Sequence, residues 1–373
     1  MNSKLKIFHC ADLHLGLRFN RYPDGLAEAR FTSLERMVER ANLEGCDLFV
    51  VAGDLFDHLK VPQRDVLRAA KILSRFEKVC LVLPGNHDFH SGASDDFWKH
   101  FELPDHGRLL LLQDGRSYLL QNLGVDAVVY SAPCQSKYSK THVLGWLGEG
   151  SDKPQAKFHI GLAHGSFEGL SPDMQGDYFP MKKTDLDRCG LDLWLLGHIH
   201  VQFPPRAVGQ GDKIFYSGTH EPDGFDCRHE GKAWLIEIAE DKTVSAQSLS
   251  TGQFRFRDEE LDLKNLEALE AFSRKFSDAE AAKLLLKLKI RGTLSKDEHQ
   301  AFGAALDVLT RRFFFVKPDY SALGVRLSPG DIDQAFAKDS FPHRLLSELT
   351  KKDSDREALQ AAFELLQESA GAQ

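Results

Sequence analysis

One stretch of the chain decides its fold: residues 47–57 read DLFVVAGDLFD. Residues 47–52 are almost wholly apolar, which predicts a strand buried on both faces, as strands of parallel sheets are. The run ends in Gly53 and Asp54, so a carboxylate follows the strand directly. Open α/β sheets bind their ligands beside the carboxyl ends of parallel strands. The stretch therefore predicts both a sheet and a polar site at its edge.

The sequence on either side alternates predicted strands and helices. Apolar runs at 6–11 and 79–83 predict two more strands, and apolar residues at helical spacing predict helices at 26–42 and after Pro62. Further strands are predicted at 127–130, 158–163 and 191–196. The chain is thus expected to have an α/β fold that opens with a βαβαβ unit.

Five short blocks of metal-binding residue types lie where these predicted strands end. They are Asp12-Leu13-His14, Gly53-Asp54, Gly85-Asn86-His87-Asp88, His164 and Gly197-His198-Ile199-His200. Each block alone has an ordinary interpretation, since Asp-x-His is common at surfaces and Gly-Asn-His-Asp is typical of turns. All five in one chain fit a single chemistry, in which a pair of divalent metals cleaves a phosphate ester.

The blocks supply seven candidate metal ligands: Asp12, His14, Asp54, Asn86, His164, His198 and His200. Asp12 and His14 are two residues apart, so they would share one face of an ideal strand. His198 and His200 repeat this spacing. Asp54 stands alone after its strand and is the natural carboxylate to bridge two metals. Oxygen and nitrogen ligands without a thiolate favour manganese, iron or zinc over calcium.

His87 and Asp88 are the candidate catalytic residues. His87 directly follows a ligand, so its ring is expected to point away from the metals and towards the substrate. A protonated imidazole there can stabilise the developing charge or protonate the leaving oxygen. Asp88 is predicted to orient that ring through its other nitrogen.

Composition limits the classes of function. The chain has 373 residues, enough for a large domain and one or two smaller ones, and 42% hydrophobic residues support a sizeable core. No apolar run approaches about 18 residues and no secretory h-region is present, so we expect a cytoplasmic protein without a membrane span. The six cysteines form no CxxC pair, which fits a reducing compartment. A net charge of −8 does not favour nucleic-acid binding, so any DNA contact must depend on a local basic patch and the metals.

The sequence pattern changes after about residue 250. Residues 284–291 alternate, and their polar face carries Lys287, Lys289 and Arg291. Ser295 and Glu298 form a capping box before a predicted helix, and a strand is predicted at 313–316. This compact βαβ unit is separate from the ligand blocks. Its basic stripe fits an ordinary solvated sheet face better than a phosphate-contacting face.

Residues 331–373 are predicted to be helical. Two amphipathic stretches are marked by Phe341, Leu345 and Leu349 and by Leu359, Phe363 and Leu366. Ser354 and Glu357 are expected to cap the second. Helices this short need a surface to pack on. Docking on the chain's own body and docking on a partner protein fit the pattern equally well.

The five blocks resemble those of the calcineurin-like metallophosphoesterases. Gly53-Asp54-Leu55-Phe56-Asp57, together with His9 ahead of the first block, is similar to the SbcD-type DNA-repair exonucleases, the nuclease half of the SbcCD complex. The resemblance implies a two-sheet β-sandwich core flanked by helices over residues 1–255. It further implies a small βαβ capping domain that positions DNA over 256–325, and a C-terminal helical partner-docking segment over 326–373.

The same resemblance assigns ligands to each metal. Asp12, His14 and His200 would hold one ion and Asn86, His164 and His198 the other, with Asp54 bridging and His87 as the catalytic histidine. Members typically use manganese, act on DNA ends and single-strand regions, form dimers, and bind the coiled-coil base of an SbcC-type ATPase through C-terminal helices. This sequence departs from the family at two places. Asp57 stands where the archaeal and eukaryotic branch has a His that assists catalysis, and the adjacent His58 is not assigned that role. Residues 216–221 only loosely resemble the Gly-Ser segment found later in the family's sequences.

The leading hypothesis is a manganese-dependent DNA nuclease that degrades duplex ends and cuts single-strand regions in double-strand break repair and recombination. Its candidate DNA contacts are Arg18, Arg21, Lys287, Lys289 and Arg291. A phosphodiesterase for cyclic nucleotides or nucleotides would use the same seven ligands, but it would not require the residues after 250. A non-catalytic scaffold that recruits an ATPase would not require His87.

Overall fold

The computed structural model describes residues 4–92, 97–101, 103, 107–141, 144–148, 153–170, 175–205, 211–350, 358–359, 361–363 and 365–366. The chain divides into two compact units, Met1–Arg255 and Phe256–Gln373. None of the helices in the described ranges is both long enough and apolar enough to span a bilayer.

The first unit contains most of the strands. These are β1 (Leu5–Cys10), β2 (Leu48–Ala52), β3 (Val79–Leu83), β4 (Leu109–Leu111), β5 (Ser117–Leu119), β6 (Ala127–Ala132), β7 (Phe158–His164), β8 (Leu193–Gly197), β9 (Ile214–Tyr216), β10 (Lys232–Ile238) and β11 (Val244–Ser250). Its helices are α1 (Leu26–Leu43), α2 (Gln63–Leu73) and α3 (Lys183–Arg188), with 3₁₀ turns at Trp98–His100 and Gln121–Leu123.

These strands form two sheets. The first sheet has the order β11-β10-β1-β2-β3-β4, and the second has the order β5-β6-β7-β8-β9. β1 to β4 are parallel, whereas β10 pairs antiparallel with β1 and with β11. In the second sheet β6 to β9 are parallel and β5 is antiparallel to β6. All five residues of β2 are buried between parallel neighbours, as their apolar sequence predicts.

The two sheets share one apolar core. It joins Ile7, Val50 and Leu81 of the first sheet to Ile160 and Leu195 of the second. α1 and α2 pack on the opposite face of the first sheet. The expected α/β fold, with a two-sheet β-sandwich core flanked by helices, is therefore confirmed.

The polar blocks follow the carboxyl ends of parallel strands in both sheets. Asp12, Asp54 and Asn86 come after β1, β2 and β3, while His164 ends β7 and His198 comes after β8. The sequence pattern did not predict β10 and β11, which extend the first sheet on the far side of β1. β11 reads Val-Ser-Ala-Gln-Ser-Leu-Ser and lies at the sheet edge with largely exposed side chains, so it lacks the apolar signal of a buried strand.

The second unit contains a three-stranded sheet and helices. Its elements are β12 (Arg255–Leu263), α4 (Glu267–Ser273), α5 (Asp278–Ala281), β13 (Leu284–Leu294), α6 (Lys296–Arg312), β14 (Phe315–Val325), α7 (Pro329–Ala335) and α8 (Phe341–Thr350). β13 lies between β12 and β14 and is parallel to β14, with α6 between them in sequence, so the predicted βαβ unit is present. The predicted capping box of Ser295 and Glu298 begins α6.

The C-terminal helices form a small apolar cluster of their own. Ile332, Phe336, Leu346 and Leu359 are its buried members, and residues 358–359, 361–363 and 365–366 are helical. The division of this unit into a DNA-positioning domain over 256–325 and a docking segment over 326–373 stays a prediction.

The first predicted amphipathic stretch forms α8, and its apolar residues differ in burial. Phe341 is 71% exposed, whereas Leu346 is fully buried and Leu349 partly buried. Phe341 is the first residue of the helix, so the turn that packs on the cluster comes after it. The predicted cap at Ser354 and Glu357 lies outside the described residues.

Candidate metal centre

Three predicted ligands meet beyond the end of β1. One ligand atom each of Asp12, His14 and His200 lies within 4.8 Å of the other two, and Nε2 of His14 is 3.2 Å from Nε2 of His200. Asp12 is fully buried, and its carboxylate also accepts the main-chain N–H of His198 at 2.9 and 3.1 Å. We call Asp12, His14 and His200 the first ligand group.

Three other predicted ligands converge on the amide oxygen of Asn86. Its Oδ1 lies 3.0 Å from Nε2 of His164 and 3.1 Å from Nδ1 of His198. Asn86 and His164 are buried, whereas His198 is half-buried and has the ring of Tyr178 against it at 5.1 Å between centroids. Asn86, His164 and His198 are the second ligand group.

Asp54 lies between the two groups. Its Oδ2 is 3.8 Å from Nε2 of His14 in the first group and 3.3 Å from Nε2 of His164 in the second. Its Oδ1 accepts the main-chain N–H of His87 at 2.8 Å. A single buried carboxylate therefore reaches both groups, which is the geometry that a bridging ligand requires.

The backbone is strained at four of the seven predicted ligands. Asp12, His14, Asp54 and His198 have φ angles of 54°, 43°, 51° and 99°. Residues with a Cβ avoid this region, and holding one there costs about 1–3 kcal/mol. Such strain persists where the surrounding structure fixes the backbone, and it clusters at functional sites.

Glycines before two ligands allow the strands to approach closely. A Cβ on Gly53, whose φ is +90°, would lie 2.1 Å from Nδ1 of His164. A Cβ on Gly197 would lie 2.0 Å from the carbonyl oxygen of Ala52, at the end of β2. Gly53 and Gly197 are thus required because the two sheets leave no space for a side chain there, and Gly53 also because of its left-handed backbone.

Gly53→Ala is expected to destabilise the chain strongly. The substitution adds left-handed strain and a clash with the buried ring of His164, together about 3–5 kcal/mol in the free energy of unfolding. Gly45→Ala is the matched control, because Gly45 has a φ of +66° but nothing within 4 Å of the added Cβ. It should cost only about 1–2 kcal/mol. Urea unfolding in EDTA measures both, and equal losses would contradict the steric argument.

The ligand rings are oriented by partners on their far side. Nδ1 of His164 donates to the carbonyl oxygen of Ala52 at 2.9 Å. Nδ1 of His200 donates to Oδ2 of Asp223 at 3.1 Å. Nδ1 of His14 faces Oδ1 of Asp57 at 3.5 Å. Partners of this kind fix the tautomer of a metal-binding histidine and leave Nε2 as the ligand atom.

This arrangement fits a cation in both groups. The Nε2 atoms of His14 and His200 lie 3.2 Å apart, so one cation can be held between them. Burial lowers the pKa of His164, but the carboxylates of Asp54 and Asp12 outweigh it and raise that pKa to about 9. The negative potential that holds a proton at this ring would also attract a divalent ion.

The structure separates the two predicted catalytic residues. Nδ1 of His87 lies 2.9 Å from the main-chain oxygen of Asp57, and the ring packs edge-on against His14 at 4.7 Å. Asp88 does not orient this ring as predicted. Its buried carboxylate accepts the main-chain N–H of Gly85 at 2.7 Å and of Phe56 at 2.9 Å, so Asp88 holds the loop instead.

The predicted DNA contacts fall into two places. Arg18 and Arg21 are exposed in the loop between β1 and α1 of the first unit. Lys287, Lys289 and Arg291 are exposed on β13 in the second unit. Two of these face acids of β12: Lys287 lies 3.7 Å from Asp258, and Arg291 lies 3.3 Å from Glu260. Acidic neighbours on β12 therefore offset part of the charge of the basic stripe.

Residues 5–202 match the family described as calcineurin-like phosphoesterase, more than half of the chain. The chain belongs to this family. It is therefore a metal-dependent phosphoesterase, a hydrolase, with a candidate dinuclear centre in its two ligand groups.

Three curated relatives are similar to this phosphoesterase. The uncharacterized metallophosphoesterase YhaO of Bacillus subtilis is 29% identical over 212 residues, 54% of this chain and 50% of YhaO. The SbcD component of nuclease SbcCD from Staphylococcus saprophyticus is 24% identical over 309 residues, 76% of each chain. DNA double-strand break repair protein Mre11 of Archaeoglobus fulgidus is 25% identical over 312 residues, 79% of this chain and 66% of Mre11. The similarity to this chain thus spans about half the length of YhaO, 76% of the SbcD component and 66% of Mre11.

Sequence reasoning missed two carboxylates at the centre of this phosphoesterase. The motifs give Asp57 no role, yet it faces His14 through its side chain and His87 through its main-chain oxygen. Asp223 orients His200 from a loop that no motif marked. A general rule, that metal-binding histidines pair with an outer carboxylate, predicts such residues but not their positions in the chain.

Proposed function

We propose that this phosphoesterase is a manganese-dependent nuclease that hydrolyses the phosphodiester bonds of DNA. The position of Asp54 carries the proposal, because its carboxylate lies against a histidine of each ligand group. Two metals about 3.5–4 Å apart need one such shared carboxylate to act on a single phosphate. Seven oxygen and nitrogen ligands without a thiolate suit manganese.

The two ligand groups and His87 divide the chemistry between them. Two divalent ions in the groups would neutralise the phosphate and make an attacking water more acidic. Nδ1 of His87 donates to the main-chain oxygen of Asp57, which leaves Nε2 to carry a second proton. The oxygen of the attacking water would bond to phosphorus, the bond from phosphorus to the leaving oxygen would break, and the proton of Nε2 would pass to that leaving oxygen. The N–H of His87 on Asp54 keeps this ring beside the ligands.

DNA is the proposed substrate because the sequence similarity to a nuclease component extends well beyond the residues that match the family. The match to the SbcD component of nuclease SbcCD covers 309 residues and so includes much more than the family match at 5–202. A hydrolase of small phosphodiesters needs no second unit. The phosphate contacts proposed in the first unit are Arg18 and Arg21, both exposed just after the first block. Lys287, Lys289 and Arg291 are weaker candidates, because acidic neighbours on β12 offset part of their charge.

We propose that the nuclease acts in DNA double-strand break repair and recombination in the cytoplasm, as a homodimer within an SbcCD-like complex. Residues 326–373 would dock an SbcC-type coiled-coil ATPase. Phe341 and Leu365 of this segment are 71% and 67% exposed, so the segment presents apolar side chains that a partner could cover. Residues 256–325 would position the DNA.

Metal removal and substrate class can be tested in one assay. An end-labelled blunt DNA duplex should lose nucleotides when manganese is added, and EDTA should stop the reaction completely. Bis-p-nitrophenyl phosphate, a generic phosphodiester, is hydrolysed in parallel as a control for an active metal centre. Single-stranded circular DNA tests the endonuclease.

The small ester also separates the competing functions. An SbcC-type ATPase from the same genome is added to the DNA reactions. If the small ester is hydrolysed while duplex and single-stranded DNA stay intact, the proposed nuclease activity is contradicted. That result would favour a cyclic-nucleotide or nucleotide phosphodiesterase. Hydrolysis of neither substrate in manganese would contradict the metal assignment.

A further inference from the structure

We infer that Arg30 is a positioning residue that holds the first ligand group in shape, an inference that rests on the proposed two-metal assignment. Arg30 lies in α1 and is 1% exposed, although none of the predicted motifs includes it. A guanidinium stays charged at any ordinary pH, so it is buried only where hydrogen bonds receive it. Its hydrogen-bond partners therefore show what it holds.

Arg30 fixes the strained turn of the first block. Its Nε donates to the carbonyl oxygen of Leu13 at 2.8 Å. Leu13 stands between Asp12 and His14, which both have a left-handed backbone. Another nitrogen of the guanidinium donates to Oγ1 of Thr219 at 3.2 Å, and that hydroxyl donates to the carbonyl oxygen of Asp12 at 2.8 Å. Two successive carbonyls of the turn are thus held, one directly and one through Thr219.

The same guanidinium reaches the segment behind the third ligand. Its remaining nitrogen lies 3.4 Å from the carbonyl oxygen of Glu221. Two residues further on, Asp223 accepts the Nδ1 proton of His200. The first ligand group combines residues that are distant in the first unit's sequence, and Arg30 contacts both the turn that carries Asp12 and His14 and the segment that carries the carboxylate partner of His200. It therefore sets the distance between the ligands as well as the shape of one turn.

The nearby carboxylates of Asp223 and Glu221 favour the charged form of Arg30, against the larger effect of burial on its pKa. Glu221 is the neighbouring buried carboxylate, but its Oε1 accepts from the hydroxyl of Ser33 and from the main-chain N–H of Gln253 at 2.7 Å. The guanidinium donors stay directed at two carbonyls and one hydroxyl. A lysine has a single nitrogen on a flexible stem and cannot replace this planar fork.

The experiment is a calorimetric titration of the metal-free full-length chain with manganese chloride. Wild type is compared with Arg30→Met, Thr219→Val and Arg36→Met, the last being a control at an exposed arginine of the same helix. We expect two binding events throughout. In Arg30→Met one of them should weaken about 10–100-fold and the other less than about threefold, as when an outer partner of a ligand is lost. Thr219→Val should weaken the same event about tenfold.

A rescue measurement distinguishes positioning from general stability. Saturating manganese should restore hydrolysis of bis-p-nitrophenyl phosphate by Arg30→Met nearly to the wild-type kcat, because the reacting groups are intact. A folded Arg30→Met with unchanged manganese affinities would overturn the inference. If Arg30→Met does not fold, unchanged affinities in Thr219→Val would overturn it. Fewer than two ions in the wild type would instead contradict the two-metal assignment itself.

Discussion

Asp54→Asn is expected to prevent tight binding at both metal positions and to lower hydrolysis about 10³-fold or more. The amide has the shape of the carboxylate but no charge, so the variant changes the electrostatics and not the packing. Metal stabilisation of a phosphoryl transition state is worth several kcal/mol, and each 1.36 kcal/mol is tenfold in rate. His164 and His14 beside Asp54 hold the pKa of this buried carboxyl well below its usual range, against the effect of burial. The charge that the variant removes is therefore present at every working pH.

Metal-dependent stability measures this effect without relying on activity. A chain that binds manganese only when folded gains about 2.7 kcal/mol at a hundredfold excess over the dissociation constant. Wild type should therefore melt at a higher temperature in manganese than in EDTA, and Asp54→Asn should melt at the same temperature in both. Metal content after gel filtration should fall from two ions per chain to fewer than one.

Asp47→Asn provides the matched control for Asp54→Asn. Asp47 immediately precedes β2, at the end opposite Asp54, where its carboxylate accepts from Lys78 at 2.8 Å. The control should keep both ions and the manganese-dependent rise in melting temperature. Two tightly held ions in Asp54→Asn would show that this carboxylate does not bridge, and the seven-ligand assignment would then fail at its centre.

The positions of the candidate ligands at strand ends could be predicted from the sequence because they depend on local signals. An apolar strand followed by Asp or His at its end is visible within ten residues, as at Asp54 after β2. The parallel arrangement of the strands then brings these ends to one edge, which general rules of α/β sheets predict. The prediction needed no knowledge of which strand of one sheet lies over which strand of the other.

The supporting contacts could not be predicted because they join distant parts of the chain. Arg30 and Thr219 are 189 residues apart, and no local pattern relates a polar residue of α1 to a loop after β9. Asp223 follows His200 by 23 residues. Such pairs can be identified only in the folded structure, where the distant segments are brought into contact.

Asp88 shows a different limit of sequence reasoning. Its place next to His87 suggested a pair of side chains, but a tight loop can turn a carboxylate back onto its own main chain. Here Asp88 accepts the N–H of Gly85, three residues earlier, and of Phe56 in the neighbouring loop. Its burial, which raises its pKa to about 8, agrees with a role in holding the loop.

His87→Gln is expected to lower the rate of DNA hydrolysis about 10²–10⁴-fold, the usual contribution of a general acid or base. The half-buried ring donates from Nδ1 to the main-chain oxygen of Asp57, and glutamine keeps a polar side chain of similar length in this place. Glutamine cannot transfer a proton. Metal content and melting temperature should therefore stay near those of the wild type. Loss of a metal ion in this variant would contradict the role given to His87.

The choice of leaving group separates the two roles open to His87. A DNA alkoxide leaves poorly without a proton, whereas p-nitrophenolate leaves well without one. If His87 protonates the leaving oxygen, His87→Gln should slow DNA hydrolysis far more than hydrolysis of bis-p-nitrophenyl phosphate. Equal losses on both substrates would instead mean that the ring stabilises charge on the phosphate. His58→Gln, a change in the loop beside Asp57, controls for the loss of an imidazole near the centre and should leave both rates nearly unchanged. A comparable loss in that variant would mean that the effect does not belong to His87.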